Sequence, residues 1–363
     1  MSKKLRVAIN TGGGDAPGLN AVIRAATLAG LNKGWEMVGI RNGYRSLTDE
    51  STPLVTLTRD MMRGITMMGG TILGTANRGN PFEMPYQDKD GNWDVRDESD
   101  QLVARFQEEN LDALIAIGGD GSMYIASKLI EKGIPVVGVP KTIDNDLPRT
   151  DYTLGFDTAV TIATEAIDRI TTTAESHDRI MVIEVMGRYA GWIALHSGLA
   201  STADVVLIPE IPFDYEKIVE KINLRASRGR NYTMIVVAEG ATEKGGNVLT
   251  KGKVIGQAEQ LGGIAERVAK TLTEMTGREA RSVVLGHLQR GGSPTNFDRI
   301  ISLRAGAEAV RAVEDGDFNK LIIFQGNKVS RIPIPEIAGQ MKKVPLDGDT
   351  IATARDIGLN LGD

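Results

Sequence analysis

The sequence predicts an α/β protein with doubly wound layers, in which helices cover sheets of mostly parallel strands. Short β-branched runs alternate with longer amphipathic segments along the whole chain, which is the pattern of repeated β-α-β units. The strand candidates are almost continuously apolar, as expected for strands buried on both faces of a parallel sheet. At roughly 150 residues per domain, a chain of 363 residues favours about two domains.

The individual elements follow from these runs in chain order. We predict strands at 6–10, 37–40, 113–117, 135–139, 180–185, 205–208, 234–238, 282–285 and 321–324. We predict helices at 19–33, 122–132, 158–174, 190–199, 215–227, 257–275 and 298–314. The segment 86–99 is polar and rich in turn-forming residues, and we interpret it as a surface insertion rather than a linker. Composition alone marks no domain boundary.

Charge and composition exclude several classes of protein. The chain has 42 Lys and Arg against 47 Asp and Glu, a net charge of −5, which gives no support for a nucleic-acid partner. It has no cysteine, so disulfides, thiol nucleophiles and cysteine-ligated metals are excluded. No apolar run approaches the ~20 residues of a membrane span, and the N-terminus lacks the apolar stretch of a signal peptide. We therefore expect a cytoplasmic protein without a membrane partner.

Glycine is the one unusual component, with 42 of 363 residues, or about 12%, against roughly 7% in average proteins. The first cluster, Gly12-Gly13-Gly14, joins the first strand to the first helix, where backbone N–H groups could bind a phosphate. It does not match a dinucleotide-binding fingerprint, because Pro17 stands where the third glycine belongs, and it lacks the Gly-Lys-Ser/Thr of a P-loop. An ordinary tight turn is the alternative.

Acidic residues also follow predicted strands. Asp120 lies within Gly118-Gly119-Asp120-Gly121-Ser122, where a carboxylate could hold Mg²⁺ while the bare backbone approaches phosphates; a structural turn is the alternative. In Pro140-Lys141-Thr142-Ile143-Asp144-Asn145-Asp146, an extended backbone would place Asp144 and Asp146 on one face. Two carboxylates on one face are costly unless a cation or a proton transfer uses them. A solvated acidic turn remains the alternative.

Arginines occur near the ends of later strands. Arg188 and Arg290 lie in glycine-rich segments that follow strands, and Arg179 and Arg281 each stand just before one. A guanidinium suits phosphate oxygens, although a single arginine in such a place would usually form a surface ion pair. His196 lies on a helical pattern, and we interpret it as a packing or surface residue. Acids at strand ends together with separate arginines favour phosphoryl transfer from a Mg²⁺-bound donor to a phosphorylated acceptor.

Six motifs in one order carry a family resemblance. The segments GGGDAPGLNAVIR, IGGDGS, PKTIDND, EVMGRYAGW, AEG and GHLQRGGSPTNFDR closely resemble those of the bacterial 6-phosphofructokinases, over roughly residues 5–324. The resemblance implies two three-layer α/β domains with the active site between them. It places the phosphoryl-donor domain at 1–155 plus 289–338, and the fructose 6-phosphate domain at 156–288 plus 339–363.

The resemblance also implies the glycolytic transfer of a phosphoryl group to the 1-hydroxyl of fructose 6-phosphate. Asp144 would be the general base, Asp120 and Asp146 would serve Mg²⁺, and Thr142 would contact the transferred group. In this family one arginine bridges the phosphates of the donor and of the sugar, and we assign it to Arg78 by assuming one inserted residue. The residues that would contact the donor are Gly13, Gly14, Arg78, Gly118, Gly119, Asp120, Gly121 and Ser122. The sugar phosphate would meet Thr142, Asp144, Asp146, Met186, Gly187, Arg188, Glu239, His287 and Arg290.

In this family two further arginines, here Arg179 and Arg281, reach the sugar phosphate from a neighbouring subunit. The resemblance therefore implies a homo-oligomer, commonly a tetramer. The regulated bacterial enzymes carry several effector-site arginines; Arg24 matches one, but Leu28 and Thr171 stand where two others are expected. That difference argues against the usual activation by ADP and inhibition by phosphoenolpyruvate.

The phosphoryl donor depends on two positions. Gly121 resembles ATP-using members, because pyrophosphate-using members place an aspartate there, whereas Lys141 resembles the pyrophosphate-using members. This pair is similar to ATP-using members of the pyrophosphate-type lineage, so we expect ATP, with pyrophosphate as the alternative. A catalytically silent sugar-phosphate sensor on the same scaffold is a remote second possibility, because such a protein would have no reason to keep all three aspartates.

Overall fold

The computed structural model describes residues 4–76, 79–252 and 260–363. The strands, numbered along the chain, are β1 Arg6–Thr11, β2 Glu36–Gly39, β3 Val55–Thr56, β4 Met84–Gln87, β5 Trp93–Arg96, β6 Ala113–Gly118, β7 Val136–Pro140, β8 Ile180–Val185, β9 Val205–Leu207, β10 Thr233–Ala238, β11 Thr250–Gly252, β12 Gln260–Leu261, β13 Ala280–Val284, β14 Lys320–Gln325 and β15 Lys328–Pro333. The helices are α1 Leu19–Asn32, α2 Arg45–Thr48, α3 Ser99–Glu108, α4 Asp120–Glu131, α5 Phe156–Ser176, α6 Trp192–Ala200, α7 Tyr215–Ser227, α8 Ile264–Thr276, α9 Asn296–Glu314 and α10 Asp349–Asp356.

The larger sheet contains seven strands within the described residues, in the order β15-β14-β7-β6-β1-β2-β3. Its inner strands are parallel, and β15 and β3 are antiparallel strands at its edges. The central strands β1 and β6 are buried on both faces, with Ile9 opposite Ile115. Apolar side chains on both faces pack under helices, as the near-continuous apolar runs predict.

The smaller sheet has the order β13-β8-β10-β9 in the part of the chain that the structure describes, and its strands are all parallel. Helix α5 lies on one face of β8 and helix α8 on the other. The prediction of an α/β fold with mostly parallel strands and interleaved helices is confirmed. No helix among the described residues is both long and apolar enough to cross a membrane.

The chain returns to the larger sheet after it has built the smaller one. Strand β14 pairs in parallel with β7, although about 180 residues of sequence separate them. The connecting helix α9 packs along α1, and Gly306 permits this close approach, because a Cβ there would lie 2.5 Å from the carbonyl oxygen of Val22. Because of this crossing, the larger sheet contains strands from the first part of the chain (β1–β3, β6 and β7) and from its last part (β14 and β15).

Some elements differ from their predicted bounds. The insertion 86–99 is largely exposed but contains the hairpin β4–β5 and leads into α3, which the sequence analysis did not predict. The predicted helix 257–275 is wrong at its start: residues 257–259 lie outside the described residues, and 260–261 form a strand. Helix α8 begins only at Ile264, because Gly262 and Gly263 adopt the left-handed conformation that precedes it.

Asp298 joins helix α9 to the start of α5. Its carboxylate accepts hydrogen bonds from the backbone N–H groups of Gly155 (2.9 Å) and Thr158 (2.8 Å), and from the Thr158 hydroxyl (2.5 Å). The residue is fully buried, and this burial raises the pKa of its carboxyl to about 6. Asp298 thus pairs N–H groups that every helix leaves without partners at its N-terminus.

Replacing Asp298 with alanine is expected to lower the free energy of unfolding by about 1–3 kcal/mol, because buried N–H groups lose their acceptor. Since the folded pKa lies above that of the unfolded chain, this carboxyl stabilises the fold most at low pH and less as the pH rises through about 6. Urea unfolding should therefore show a larger loss at about pH 5 than at about pH 8. The exposed Asp356→Ala on α10 is the control, and equal losses in both variants would contradict this role.

Candidate active site

The carboxyl ends of β1, β6 and β7 meet at a cavity of about 710 Å³. These strands are neighbours in the larger sheet, so the segments that follow them lie side by side. Arg188 and Tyr189 from the smaller sheet, and Arg290 from the turn before α9, complete the wall. The predicted site residues that line the cavity are Gly13, Gly14, Gly119, Asp120, Gly121, Ser122, Lys141, Thr142, Asp144, Asp146, Arg188 and Arg290.

The glycine segments after β1 and β6 lie against each other. A Cβ at Gly12 would lie 2.6 Å from Ser122 Oγ, and one at Gly118 would lie 2.2 Å from the same atom. A Cβ at Gly14 would lie 2.8 Å from Nη1 of Arg290. Glycine is therefore needed at these positions for packing as well as for exposing the backbone to a ligand.

Gly121 differs from these glycines. No described residue would lie within 4 Å of a Cβ at this position, and its φ is not positive. The residue is exposed and lines the cavity, so a side chain here would project into free space. Packing therefore does not require glycine at 121, but a bulky ligand in the cavity would.

Lys141 lies beneath the first glycine segment. It is 3% exposed, and its ammonium group donates a hydrogen bond to the carbonyl oxygen of Gly14. Burial, with a smaller contribution from the Arg290 guanidinium, lowers the pKa of Lys141 to about 8. Lys141 thus holds the backbone turn at Gly14 and places a positive charge at the cavity wall.

Asp144 and Asp146 form an acidic pair in which Asp144 is buried and Asp146 is half-buried. The prediction of an extended backbone between them is wrong: Asn145 is left-handed, with φ of +49°, a conformation that asparagine adopts more easily than most residues. Both carboxylates nevertheless line the cavity. Burial and the neighbouring Asp146 raise the pKa of Asp144 to about 7, and burial also raises the pKa of Asp146. A carboxylate whose pKa is near neutral suits general-base chemistry.

Asp120 and Asp146 bring carboxylate oxygens to the cavity that suit a magnesium ion, although the described residues contain no cluster of three metal-ligating side chains. Among the described residues, Asp144 Oδ1 and Asp146 Oδ1 are buried atoms without a hydrogen-bond partner. Asp120 Oδ1 accepts a hydrogen bond from the N–H of Gly339 (3.1 Å), and burial raises its pKa. Carboxylate oxygens are the ligands Mg²⁺ prefers, and Mg²⁺ is commonly held by one or two carboxylates plus substrate phosphates. Asp120 and Asp146 are the residues that would hold it.

The smaller sheet contributes a second group at the ends of β8 and β10. The Arg188 N–H donates to Glu239 Oε1 (3.3 Å), and the Arg188 guanidinium lies 5.5 Å from the Tyr189 ring centre. Arg188 has a positive φ of +34°, which is uncommon for a residue with a side chain. A Cβ at Gly240 would lie only 1.6 Å from the carbonyl oxygen of Arg188, so glycine there is required for this turn.

The remaining sugar-site candidates lie beside this group rather than on the cavity wall. Met186 and Gly187 directly follow β8, and Glu239 directly follows β10. Burial raises the pKa of Glu239. The N–H of Met186 donates to Oε1 of the buried Gln289 (3.3 Å), which ties the end of β8 to the turn that contains the exposed His287.

Known proteins resemble this chain over most of its length. The phosphofructokinase family model matches residues 6–313. The chain belongs to the phosphofructokinase family. The "ATP-dependent 6-phosphofructokinase 2" of Clostridium perfringens is 47% identical over 363 residues, covering 99% of this chain and 98% of the relative. The "Pyrophosphate--fructose 6-phosphate 1-phosphotransferase" of Amycolatopsis methanolica is 50% identical over 346 residues, covering 94% of this chain and 96% of the relative.

A solved phosphofructokinase has the same fold. The Pichia pastoris phosphofructokinase structure in the T-state superposes with a TM-score of 0.80 at 31% identity. The superposition covers 99% of this chain but only 37% of the yeast chain, so this chain corresponds to about a third of that longer one.

Two arginines expected for a phosphofructokinase sugar site lie elsewhere in this chain. Arg179 precedes β8 and Arg281 lies at the start of β13, so both are at the sheet end opposite Met186, about 20 Å away at 3.3 Å per residue. Both pair with the Glu279 carboxylate, Arg179 Nε at 2.8 Å. A single chain therefore does not bring them to the cavity. Arg78 lies outside the described residues.

The sequence analysis missed several residues at this phosphofructokinase cavity. Tyr44 and Tyr189 line it, but a tyrosine near a strand end is no signal by itself. Gly339, Met341 and Lys342 lie about 200 residues after the aspartates and follow no long apolar run. Only the crossing of the chain places them at the site; the family resemblance implied that crossing, but no pattern in the residues themselves indicated it.

Proposed function

We propose that this protein is an ATP-dependent 6-phosphofructokinase, which transfers the γ-phosphoryl group of ATP to the 1-hydroxyl of D-fructose 6-phosphate. The products are fructose 1,6-bisphosphate and ADP. The observation that carries the proposal is the placement of the buried Asp144 and the half-buried Asp146 at one cavity, which the glycine segments, Arg188 and Arg290 also line. The Clostridium relative, named as an ATP-dependent enzyme and similar over nearly its whole length, supports it.

Asp144 acts as the general base in this proposal. It accepts the proton of the 1-hydroxyl as that oxygen bonds to the γ-phosphorus, and the bond from the γ-phosphorus to the bridging oxygen breaks so that ADP leaves. Its raised pKa keeps the carboxyl able to accept a proton near neutral pH. Thr142, whose hydroxyl accepts a hydrogen bond from the Asp144 N–H (3.1 Å), lies beside the transferred group.

Charge neutralisation supplies most of the remaining catalysis in phosphoryl transfer. Mg²⁺ held by Asp120 and Asp146 would neutralise negative charge on the donor phosphates and the transferred group. Arg188, and Arg78 by the family pattern, would add positive charge near the reacting phosphorus. The backbone N–H groups of Gly13, Gly14 and the 118–122 turn would bind the donor phosphates.

The sugar phosphate would bind at the carboxyl ends of strands β8 and β10 and at the turn before α9. Met186, Gly187 and Glu239 would contact the sugar, and His287 and Arg290 the 6-phosphate. Since Arg179 and Arg281 lie at the far end of the sheet, we include their delivery from a neighbouring subunit in the proposal, which makes the active enzyme a homo-oligomer, commonly a tetramer. The division into a donor domain (1–155 plus 289–338) and a sugar domain (156–288 plus 339–363) belongs to the same proposal, as does a cytoplasmic location.

Pyrophosphate is the second candidate for the donor. Lys141 and the Amycolatopsis relative favour it. We prefer ATP because Gly121 leaves open space beside the phosphate-binding segments, whereas Lys141 already donates to Gly14 and is compatible with either donor.

A paired assay tests the proposal. Purified protein with fructose 6-phosphate and Mg²⁺ should form the bisphosphate with ATP at a higher kcat/KM than with pyrophosphate. A preference for pyrophosphate would overturn the choice of donor but keep the reaction. Binding of fructose 6-phosphate without product from either donor would instead support the silent sensor.

A further inference from the structure

The segment 339–344, here called the strap, passes from the larger sheet to α10 along one edge of the cavity. Met341 lines the cavity. None of the roles proposed above uses the strap, yet its backbone and the half-buried Lys342 contact both segments that carry the three catalytic aspartates.

The strap holds the aspartate segments on one side. The N–H of Gly339 donates to Asp120 Oδ1 (3.1 Å), and the N–H of Lys342 donates to the carbonyl oxygen of Asp146 (2.7 Å). The Lys342 ammonium donates to the carbonyl oxygens of Thr150 (2.8 Å) and Asp151 (3.3 Å). Lys342 therefore binds both the middle and the end of the loop 141–154, which carries Thr142, Asp144 and Asp146.

The other side of the strap is fixed to the smaller sheet. The indole Nε1–H of Trp192 donates to the carbonyl oxygen of Lys342 (3.0 Å), and the Lys342 ammonium lies 5.2 Å from the indole ring centre. Two residues on, the N–H of Val344 donates to Glu210 Oε1 (2.9 Å), and the same carboxylate accepts from the N–H of Gly191 at the start of α6. The strap thus links the catalytic loop to the helix that follows the Arg188 turn.

A partly buried ammonium group is costly unless its hydrogen bonds are satisfied. The Lys342 ammonium donates to carbonyl oxygens of Thr150 and Asp151, which lie in a stretch between β7 and α5 that forms no helix or strand, so it satisfies backbone groups that regular structure does not pair. Errors of about 1 Å in the position of a catalytic group can cost about 100-fold in rate. A side chain that fixes this loop from outside the cavity therefore matters to turnover.

We propose that Lys342 is a positioning residue for phosphoryl transfer: it holds the loop 141–154 against α6, and so sets Asp144 and Asp146 relative to the Arg188 side of the cavity. The proposal rests on the proposed function. Lys342 touches neither substrate, so its loss should affect turnover more than binding.

The test compares Lys342→Met with Lys343→Met. Methionine keeps an unbranched side chain against Trp192 but removes the ammonium group, and the adjacent Lys343 is exposed. We expect Lys342→Met to lower kcat about 10- to 100-fold with the KM values for fructose 6-phosphate and ATP within about threefold of the parent. Lys343→Met should match the parent. Hydrogen exchange should become faster at the amides of 141–154 in Lys342→Met only.

The outcomes separate this inference from the proposed function. If the parent enzyme makes no fructose 1,6-bisphosphate, the proposed function fails, while selective exchange at 141–154 would still support the hold of Lys342 on the loop. If the parent is active and kcat of Lys342→Met lies within about twofold of Lys343→Met, the inference is overturned. A loss of kcat accompanied by faster exchange throughout the chain and a lower Tm also overturns it, because general destabilisation would then explain the loss.

Discussion

Replacing Asp144 with serine is expected to lower kcat about 10²- to 10⁴-fold, the usual contribution of a general base. Serine keeps a small polar side chain in the buried position but cannot accept the 1-hydroxyl proton at neutral pH. The Arg188 and Arg290 side of the cavity is unchanged, so binding of fructose 6-phosphate should be retained. Steady-state kinetics and isothermal titration with fructose 6-phosphate measure the two quantities separately.

The exposed Asp347→Ser provides a control for the loss of a carboxylate elsewhere in the chain, and it should have the kcat of the parent. Near-normal turnover by Asp144→Ser would show that another group accepts the proton. A loss of sugar binding as large as the loss of kcat would show instead that Asp144 acts mainly in binding.

Replacing Gly121 with aspartate is expected to lower kcat/KM for ATP about 100-fold or more, which corresponds to about 2.7 kcal/mol of transition-state binding. The new carboxylate would project into the open space beside the glycine segments, where it would obstruct the nucleotide and repel its phosphates. In the proposed function fructose 6-phosphate binds at the residues that follow β8 and β10, so its affinity should change little. Kinetics with ATP varied at saturating fructose 6-phosphate measure the effect.

Gly121→Ala is the matched control, because a methyl group at this position meets no described residue within 4 Å and φ there is not positive. Alanine should keep most of the ATP activity. Unchanged ATP kinetics in Gly121→Asp would refute the steric argument, and an equal loss in both variants would show that backbone freedom at 121 matters rather than the carboxylate. Assays of both variants with pyrophosphate show whether the position selects between donors.

The sequence predicted the fold class and the placement of the catalytic candidates through one regularity: functional residues follow buried parallel strands. Because β1, β6 and β7 end at the same edge of one sheet, the segments with Gly13, Asp120 and Asp144 lie at one cavity. Each of these strands is nearly all apolar, so the first glycine or charged residue after the apolar run marks where the strand ends.

Other parts of the site depend on contacts that leave no local pattern. The turn at Asn145 is left-handed, although the sequence analysis expected an extended backbone between Asp144 and Asp146. Lys342 reads as a surface lysine in the sequence, and only its contacts with Thr150, Asp151 and Trp192 show its position. The place of β14 beside β7 is likewise decided by packing of α9 on α1, which no short window of sequence contains.

The late arrival of β14 has a consequence for biosynthesis. A ribosome must release about 325 residues before β7, which already pairs with β6, acquires β14 on its other edge, and until then that apolar edge of the nascent chain is unpaired. The smaller sheet also waits for the last few residues, since β9 bridges to Asn360 and Phe213 packs against the position of Gly362. Neither sheet can therefore complete its pairing before residues 320–362 have been made, and we expect the two sheets to mature together.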